Sequence, residues 1–435
     1  MREALERPDH RSDRVSLAAA DIGQMDSDST SGNARMMAVA AGGTMDAQSV
    51  LSAQILMALD DARTAKTLLQ HPAMSRPANK AALRRFEKAF NDREREFERL
   101  HSYVSDSASH AECWGQLRSI RTDFHDTLRE SLAFLGALLV RQSEMDERYT
   151  AVVDTLLWEL ASVAPPGVDW PSVTIAVGDA FSPLAGTVRT RYPDFTIWAL
   201  PVVGHEVGHL LVQELRSLSA NARSQDFPLV DLAARQAKDN ANPALHDLMI
   251  RELLADLIGV WSLGPAFACS SILLRFTPRD ADKIIARHPP EVERVYVVLR
   301  GLRRVDPEYA DLVSMLEAIW ADLLTPLNLA PLANPEAAIL DACVEDAMAI
   351  LDEHLSGARY AGRTYARSLV QPLATGQLAP AEIAAKYNIR DIANAAWIAR
   401  LRSWGDVAIA RHVDDLAMAA CREVAALPGK GAMSQ

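Results

Sequence analysis

Residues 200–215 read LPVVGHEVGHLLVQEL, with His205, Glu206 and His209 at the H-E-x-x-H spacing. The run is apolar and free of strand-like alternation, which predicts a helix. Four residues make about one helical turn, so both imidazoles leave the same face and can grip one ion, while Glu206 sits beside them to handle a water's proton. Val203, Gly204, Val207, Gly208, Leu210 and Leu211 are uncharged, as suits a helix buried beneath a cleft. On the N-terminal side, residues 172–177 (SVTIAV) are rich in β-branched side chains and bounded by Pro171 and Gly178-Asp179, which predicts a strand, and 187–192 predicts a weaker one. Nearly everything else carries helical periodicity. The expected fold class is therefore mainly α with a small β component.

Two histidines do not complete a catalytic zinc site, which takes three protein ligands and keeps one position open. Downstream, a helix expected over 244–262 carries Glu252 and Asp256 four apart, on one face, amid Leu253, Leu254, Leu257 and Ile258. Two carboxylates on an apolar face are costly unless bound, and a cation with its histidines is the natural partner. Glu252 is the expected third ligand, with Asp247 and His288 as the alternatives. Asp256 is expected to receive the outer N–H of a ligand histidine. His246 falls off the carboxylate face and reads as a surface or helix-start residue.

Farther on stands His288-Pro289-Pro290-Glu291-Val292-Glu293-Arg294. HEVGH followed by E-x-x-A-D resembles the gluzincin metallopeptidases. The third string resembles the H-P-P-x-x-x-R of the CAAX prenyl protease and heat-shock membrane protease family. The likeness covers roughly residues 172–304. It implies an α+β zincin-like unit with one zinc ion on His205, His209 and Glu252, and Glu206 as general base in the hydrolysis of a peptide or protein substrate. His288, Tyr296 and Tyr192 are available as oxyanion donors, and His288 is the preferred second catalytic residue. His288 has two other readings, as a structural residue of the Pro289-Pro290 turn or as a fourth ligand. No motif for holding a free amino terminus stands out, which points to an endopeptidase. Members of that family are commonly embedded in membranes, whereas this chain reads as a soluble relative. The alternative is a catalytically inactive zincin-like helical scaffold or interaction protein, against which an intact Glu206 argues.

The chain has 435 residues, 49% apolar and 23% charged, a globular balance that excludes collagen-like, wholly disordered and disulfide-scaffold classes. Its net charge of −12 speaks against a nucleic-acid partner. Cys113, Cys269, Cys343 and Cys421 have no knuckle or redox spacing and read as reduced core thiols. Residues 1–14 lack the apolar core of an export signal, and the most apolar stretches, 131–140 and 257–274, carry Gly, Ser or Pro and fall short of a membrane span. A cytoplasmic protein without a transmembrane segment is expected.

Five regions follow: a disordered tail (1–45), a helical hairpin or bundle (46–163), the zincin-like unit (164–305), a C-terminal helical region (306–427) and a second tail (428–435). In the hairpin, Leu83, Phe86, Phe90, Phe97 and Leu100 form one apolar stripe, and Leu117, Ile120, Phe124, Leu128 and Leu132 form another within a helical run expected over 116–160. Ala164-Pro165-Pro166-Gly167 should end that run. The polar stretch 217–242 reads as a long loop and a candidate lid. Helix breaks are expected at Gly264-Pro265 and at Pro326, Pro331, Pro335, Pro372 and Pro380. Trp261 and Phe267 read as core.

Overall fold

The computed structural model describes residues 47–427 apart from 77–78, 107–109, 144, 147, 165–167, 169, 177–179, 183, 192–193, 216–226, 239, 286–287 and 333–335. Both expected tails, Tyr192, the Pro165-Pro166-Gly167 punctuator, Gly178-Asp179, Pro335 and part of the 217–242 stretch lie outside the described residues. The described chain is mainly helical with one small sheet, the fold class its patterning indicates.

Three helices, α1 (Ala47–Ala65), α2 (Lys80–Asp106) and α3 (His110–Gln142), pack around a core of their own. Phe86, Phe90, Phe97 and Phe124 lie inside it, with Phe90 and Phe97 each set edge-on to Phe124 at 6.2 and 6.3 Å. The α3 stripe drifts. A strict four-residue step overruns the 3.6-residue turn, so Leu132 points outward while Ser131, Phe134 and Leu138 continue the buried face.

The expected helical run over 116–160 is interrupted after Gln142, and α4 (Tyr149–Ala161) starts anew. Arg148 takes a left-handed conformation at φ 66°, and the Asp146 carboxylate accepts from the Thr150 amide (3.0 Å) and hydroxyl, closing the new N-terminus. α4 belongs to a second, larger core that extends through the sheet to the last helix.

In the sheet, β1 (Ser172–Ala176) and β2 (Ala180–Ser182) flank β3 (Thr187–Arg191), β1 parallel and β2 antiparallel to it. The three-residue β2 is too short to show alternation in the sequence. α3 and α4 pack along β1, while α5 (Val203–Glu214) packs on β2 and β3. Glu130 of α3 accepts from Ser182 at 2.6 Å and pairs with Arg189, tying the first core to the sheet.

Within the stretch expected as a long loop, α6 (Pro228–Ala237) is a helix packed on α7 (Pro243–Leu263). Pro228 starts it, and Leu229, Leu232, Ala233 and Ala237 bury one face at helical spacing beneath an otherwise polar composition. Gly264, at φ 60°, breaks α7 from α8 (Pro265–Ser270) as expected. Asn394 spans that break, accepting from the Ala266 amide (2.8 Å) and donating to the Leu263 carbonyl (2.9 Å).

After α9 (Glu291–Val305), α10 (Ala310–Leu324) and α11 (Glu336–His354), the chain forms α12 (Arg363–Thr375), α13 (Pro380–Ala384), α14 (Ile389–Arg402) and α15 (Val407–Ala426). Pro372 does not break α12. It stands in the last turn, where a single backbone bond is forfeited, and Gly376 closes the helix in the left-handed region with its amide on the Pro372 carbonyl. These helices are fastened to α7: the Trp261 indole donates to the Leu355 carbonyl at 3.0 Å, and the Tyr360 amide to the Trp261 carbonyl at 2.8 Å. All four cysteines are free and buried, and Trp261 and Phe267 are core residues. No helix among the described residues is long and apolar enough to cross a membrane.

Asp414 of α15 accepts from the Ile197 amide (2.8 Å), just ahead of α5. Burial, with Asp415 and Asp194 nearby, pushes its carboxyl up to about 6 against the opposing pull of the Ile197 amide and Arg400. An ordinary aspartate titrates near 3.9, so the folded chain retains a proton that the unfolded chain has already lost. The contribution of Asp414 to stability should be fully present below about pH 4 and should fall, by on the order of 2 kcal/mol, as pH rises to about 6. Urea denaturation across this range should show that loss as a shrinking stability difference between the wild type and Asp414→Asn, in which the other titrating groups cancel.

Candidate metal centre

Glycine sets the geometry of the site. Gly204 and Gly208 lie one turn apart on α5, and Ala255 and Gly259 one turn apart on α7. A Cβ added at Gly208 would come within 2.6 Å of the Ala255 backbone, and one at Gly204 within 3.1 Å of the Gly259 Cα. The two helices therefore cross with backbones in contact. Each carries its polar residues beside that crossing.

His205, His209 and Glu252 converge there, each offering a ligand atom within 4.8 Å of the other two. The Glu252 Oε2 lies 3.4 Å from His205 Nε2 and 3.6 Å from His209 Nε2. Ligand atoms at 2.0–2.1 Å from a tetrahedral ion are themselves about 3.3–3.4 Å apart, so these spacings fit a small divalent cation. The imidazoles stand nearly perpendicular, with centroids 4.5 Å apart. Behind them, His205 Nδ1 is bonded to Asp256 Oδ1 at 2.8 Å, the outer partner that fixes a ligand histidine's tautomer. Glu206 is buried in the first turn of α5, next to His205 in the chain.

Burial alone would lower the His205 imidazole, but Asp256 and Glu252 outweigh it and hold the group up at about 10. An incoming ion must displace the Nε2 proton, so uptake releases a proton. Burial and the charge of His205 push His209 down to about 4, leaving it neutral with a lone pair. Burial would raise both carboxyls. Glu252 is nevertheless lowered by its histidines, and Asp256 by Arg294 and His205.

The 288–294 string braces the two carboxylates from one side. His288 Nδ1 donates to Glu252 Oε2 at 3.0 Å. Arg294 of α9 grips Asp256 with Nε at 2.7 Å and a second guanidinium nitrogen at 2.8 Å, and stacks 4.7 Å from the Phe276 ring centroid. The sequence reading gave Arg294 no role. The available signal was the need of a buried Asp256 for a permanent cation, and the twin small-residue pairs likewise announced the close crossing.

Tyr296 is turned elsewhere, donating to Asp341 at 2.7 Å, and Asp247 pairs with Arg251 at 2.7 Å, so neither joins the cluster. His246 lies in the first turn of α7, half-buried.

His288→Ala should weaken metal binding about 10-fold or more, the usual range for a partner that orients a ligand. His288→Asn places an amide donor where Nδ1 stood and should preserve most of the affinity. Competition against a chromophoric chelator measures both. Equal affinity of wild type and His288→Ala would remove His288 from the support of Glu252.

Comparison of the chain with family models, curated proteins and solved structures yields no match in any of the three.

Proposed function

We propose that the chain is a zinc-dependent metallopeptidase of the gluzincin type, a relative of the CAAX prenyl protease and heat-shock membrane protease family; no helix among the chain's described residues is long and apolar enough to cross a membrane. One observation carries the reading: His205, His209 and Glu252 meet within 4.8 Å on two helices, the first of which also bears Glu206. A purely structural ion has no use for a buried general base next to its ligands. Bound on these three residues, zinc would supply Lewis acidity and bring the pKa of water down to about 7. Glu206 takes the proton of the attacking water and returns it to the leaving amine. Asp256 holds His205 in the tautomer that presents Nε2, while Arg294 compensates its charge. His288, half-exposed beside Glu252, is the proposed donor to the developing oxyanion. The substrate is a peptide or protein cut internally, in the cytoplasm, with no nucleic acid involved.

Metal content per chain, by elemental mass spectrometry on protein purified without chelator or polyhistidine tag, tests the foundation. The wild type should carry about one zinc and His209→Ala almost none. Absence of metal from both, even after zinc is offered to the folded protein, would leave the helical scaffold as the better description.

A further inference from the structure

We propose that Arg400 and the three tryptophans around it bind an organic carboxylate, with the charged end on the guanidinium and an apolar or aromatic body against Trp404. The site shares no residue with the metal centre and does not depend on the metallopeptidase reading.

Trp397 and Arg400 stand three apart on α14, and Trp404 follows Arg400 by four just past the helix end, so the three gather on one side. Trp198 joins them from the turn ahead of α5. The Arg400 Cζ lies 4.6 Å from the Trp198 ring centroid, 5.2 Å from that of Trp397 and 5.5 Å from that of Trp404. Trp198 and Trp397 meet edge-on at 5.3 Å and are both buried, whereas Trp404 is 57% exposed. The cluster is closed beside the first two rings and open beside the third.

Two other arginines among the described residues stack on rings, and both also reach oxygen. Arg294, over Phe276, grips Asp256, and Arg359, over Trp261, donates to the Arg304 and Val305 carbonyls. Arg400 touches more rings than either and, among the described residues, has no hydrogen bond or ion pair. An indole face attracts the positive charge but offers no lone pair to the five guanidinium N–H donors. Burial pushes the group down against the opposing pull of Asp414, so water is lost with no protein oxygen in its place. A cation so placed is satisfied by an anion from outside.

Asp414 does not fill that role, because its Oδ1 accepts from the Ile197 amide and it forms no ion pair with Arg400. It does limit the charge of the ligand. With Asp415 beside it, and Asp194 held by Arg275 at 3.2 Å, a dianion such as phosphate meets more repulsion than a carboxylate does. The planar guanidinium matches a carboxylate through two parallel N–H bonds, and the exposed Trp404 ring gives the rest of the ligand a flat apolar surface. A free acid and the carboxyl end of a peptide share this chemistry.

Ligand-observed NMR titration of the full chain with 3-phenylpropanoate tests the site. The neutral 3-phenylpropanamide should bind about 10-fold more weakly, since hydrogen bonds to a charged partner are the stronger ones, and inorganic phosphate should also bind more weakly. Trp404→Ala, at an exposed position, should weaken 3-phenylpropanoate about 3-fold or more and keep the preference for acid over amide. Arg400→Gln should erase that preference, with thermal unfolding to report that the variant is folded. His209→Ala should bind as the wild type does, which separates the site from carboxylate binding to a metal. N-acetylphenylalanine bound more tightly than 3-phenylpropanoate assigns the site to a peptide's carboxyl end, and the reverse order to a free acid. Five results would each overturn the proposal: no binding of 3-phenylpropanoate, equal binding of acid and amide, a preference for phosphate, undiminished binding in Trp404→Ala, or loss of binding in His209→Ala. A folded Arg400→Gln chain that keeps the preference for the acid overturns it as well.

Discussion

Replacing Glu206 with glutamine should abolish turnover while leaving one zinc on the chain. Glutamine matches glutamate in shape and keeps a hydrogen-bonding oxygen, so a side chain buried in the first turn of α5 can be exchanged without opening a cavity. It cannot accept and return a proton. A positioned general base contributes about 10²–10⁴-fold, and kcat on a cleaved peptide should fall by at least that much, with metal content and thermal stability near wild type. The three ligand atoms come from His205, His209 and Glu252, which the substitution does not touch. A Glu206→Gln protein that retains zinc and cleaves at the wild-type rate would falsify the assignment. A variant that loses zinc would instead place Glu206 in the support of the ligands.

The second large effect is expected at Arg294. Asp256 is 1% exposed, and its two oxygens are held by Arg294, with His205 sharing one of them. Arg294→Met keeps much of the side-chain bulk but leaves a buried carboxylate short of its permanent cation. Breaking such a pair from one side costs about 3–5 kcal/mol, measurable by urea denaturation. Metal affinity should fall as well, because Asp256 would take up a proton or turn away from His205 Nδ1. The double variant Arg294→Met with Asp256→Asn should recover most of the loss, since an amide oxygen still accepts from His205 and no charge is left unpaired. If the double variant is no more stable than the single, the charge argument is wrong and the stacking of Arg294 on Phe276 is what matters.

The residues that converge were legible because their chemistry is local and periodic. His205 and His209 share a helix face by spacing alone, and Glu252 with Asp256 betrayed themselves as carboxylates among leucines. Amphipathic stripes such as Phe86, Phe90 and Phe97 fix a helix face wherever the helix ends up, which is why the mainly α class with one short sheet could be read in advance. What escaped was set by tertiary context. The α3 to α4 interruption depends on Asp146 folding back onto Thr150, α6 hides a buried face within a polar composition, and α12 passes Pro372 because the helix ends three residues later. Arg294 escaped because a cation reveals its role only through the acid it reaches, and Asp256 lies 38 residues away.

The contact of Gly208 with the Ala255 backbone bears on which ions the centre can accept. Where two helices are separated by side chains, rotamer changes let ligands spread around a larger ion. Here α5 and α7 meet backbone to backbone, and no such cushion exists at the crossing. Calcium takes about six to eight oxygen ligands, a larger shell than three donors held 3.4 and 3.6 Å apart across a fixed crossing can supply, and two of those donors are imidazole nitrogens. The glycines thereby fix the span of the three donor atoms, and any ion the proposed centre takes must suit that span rather than reshape it.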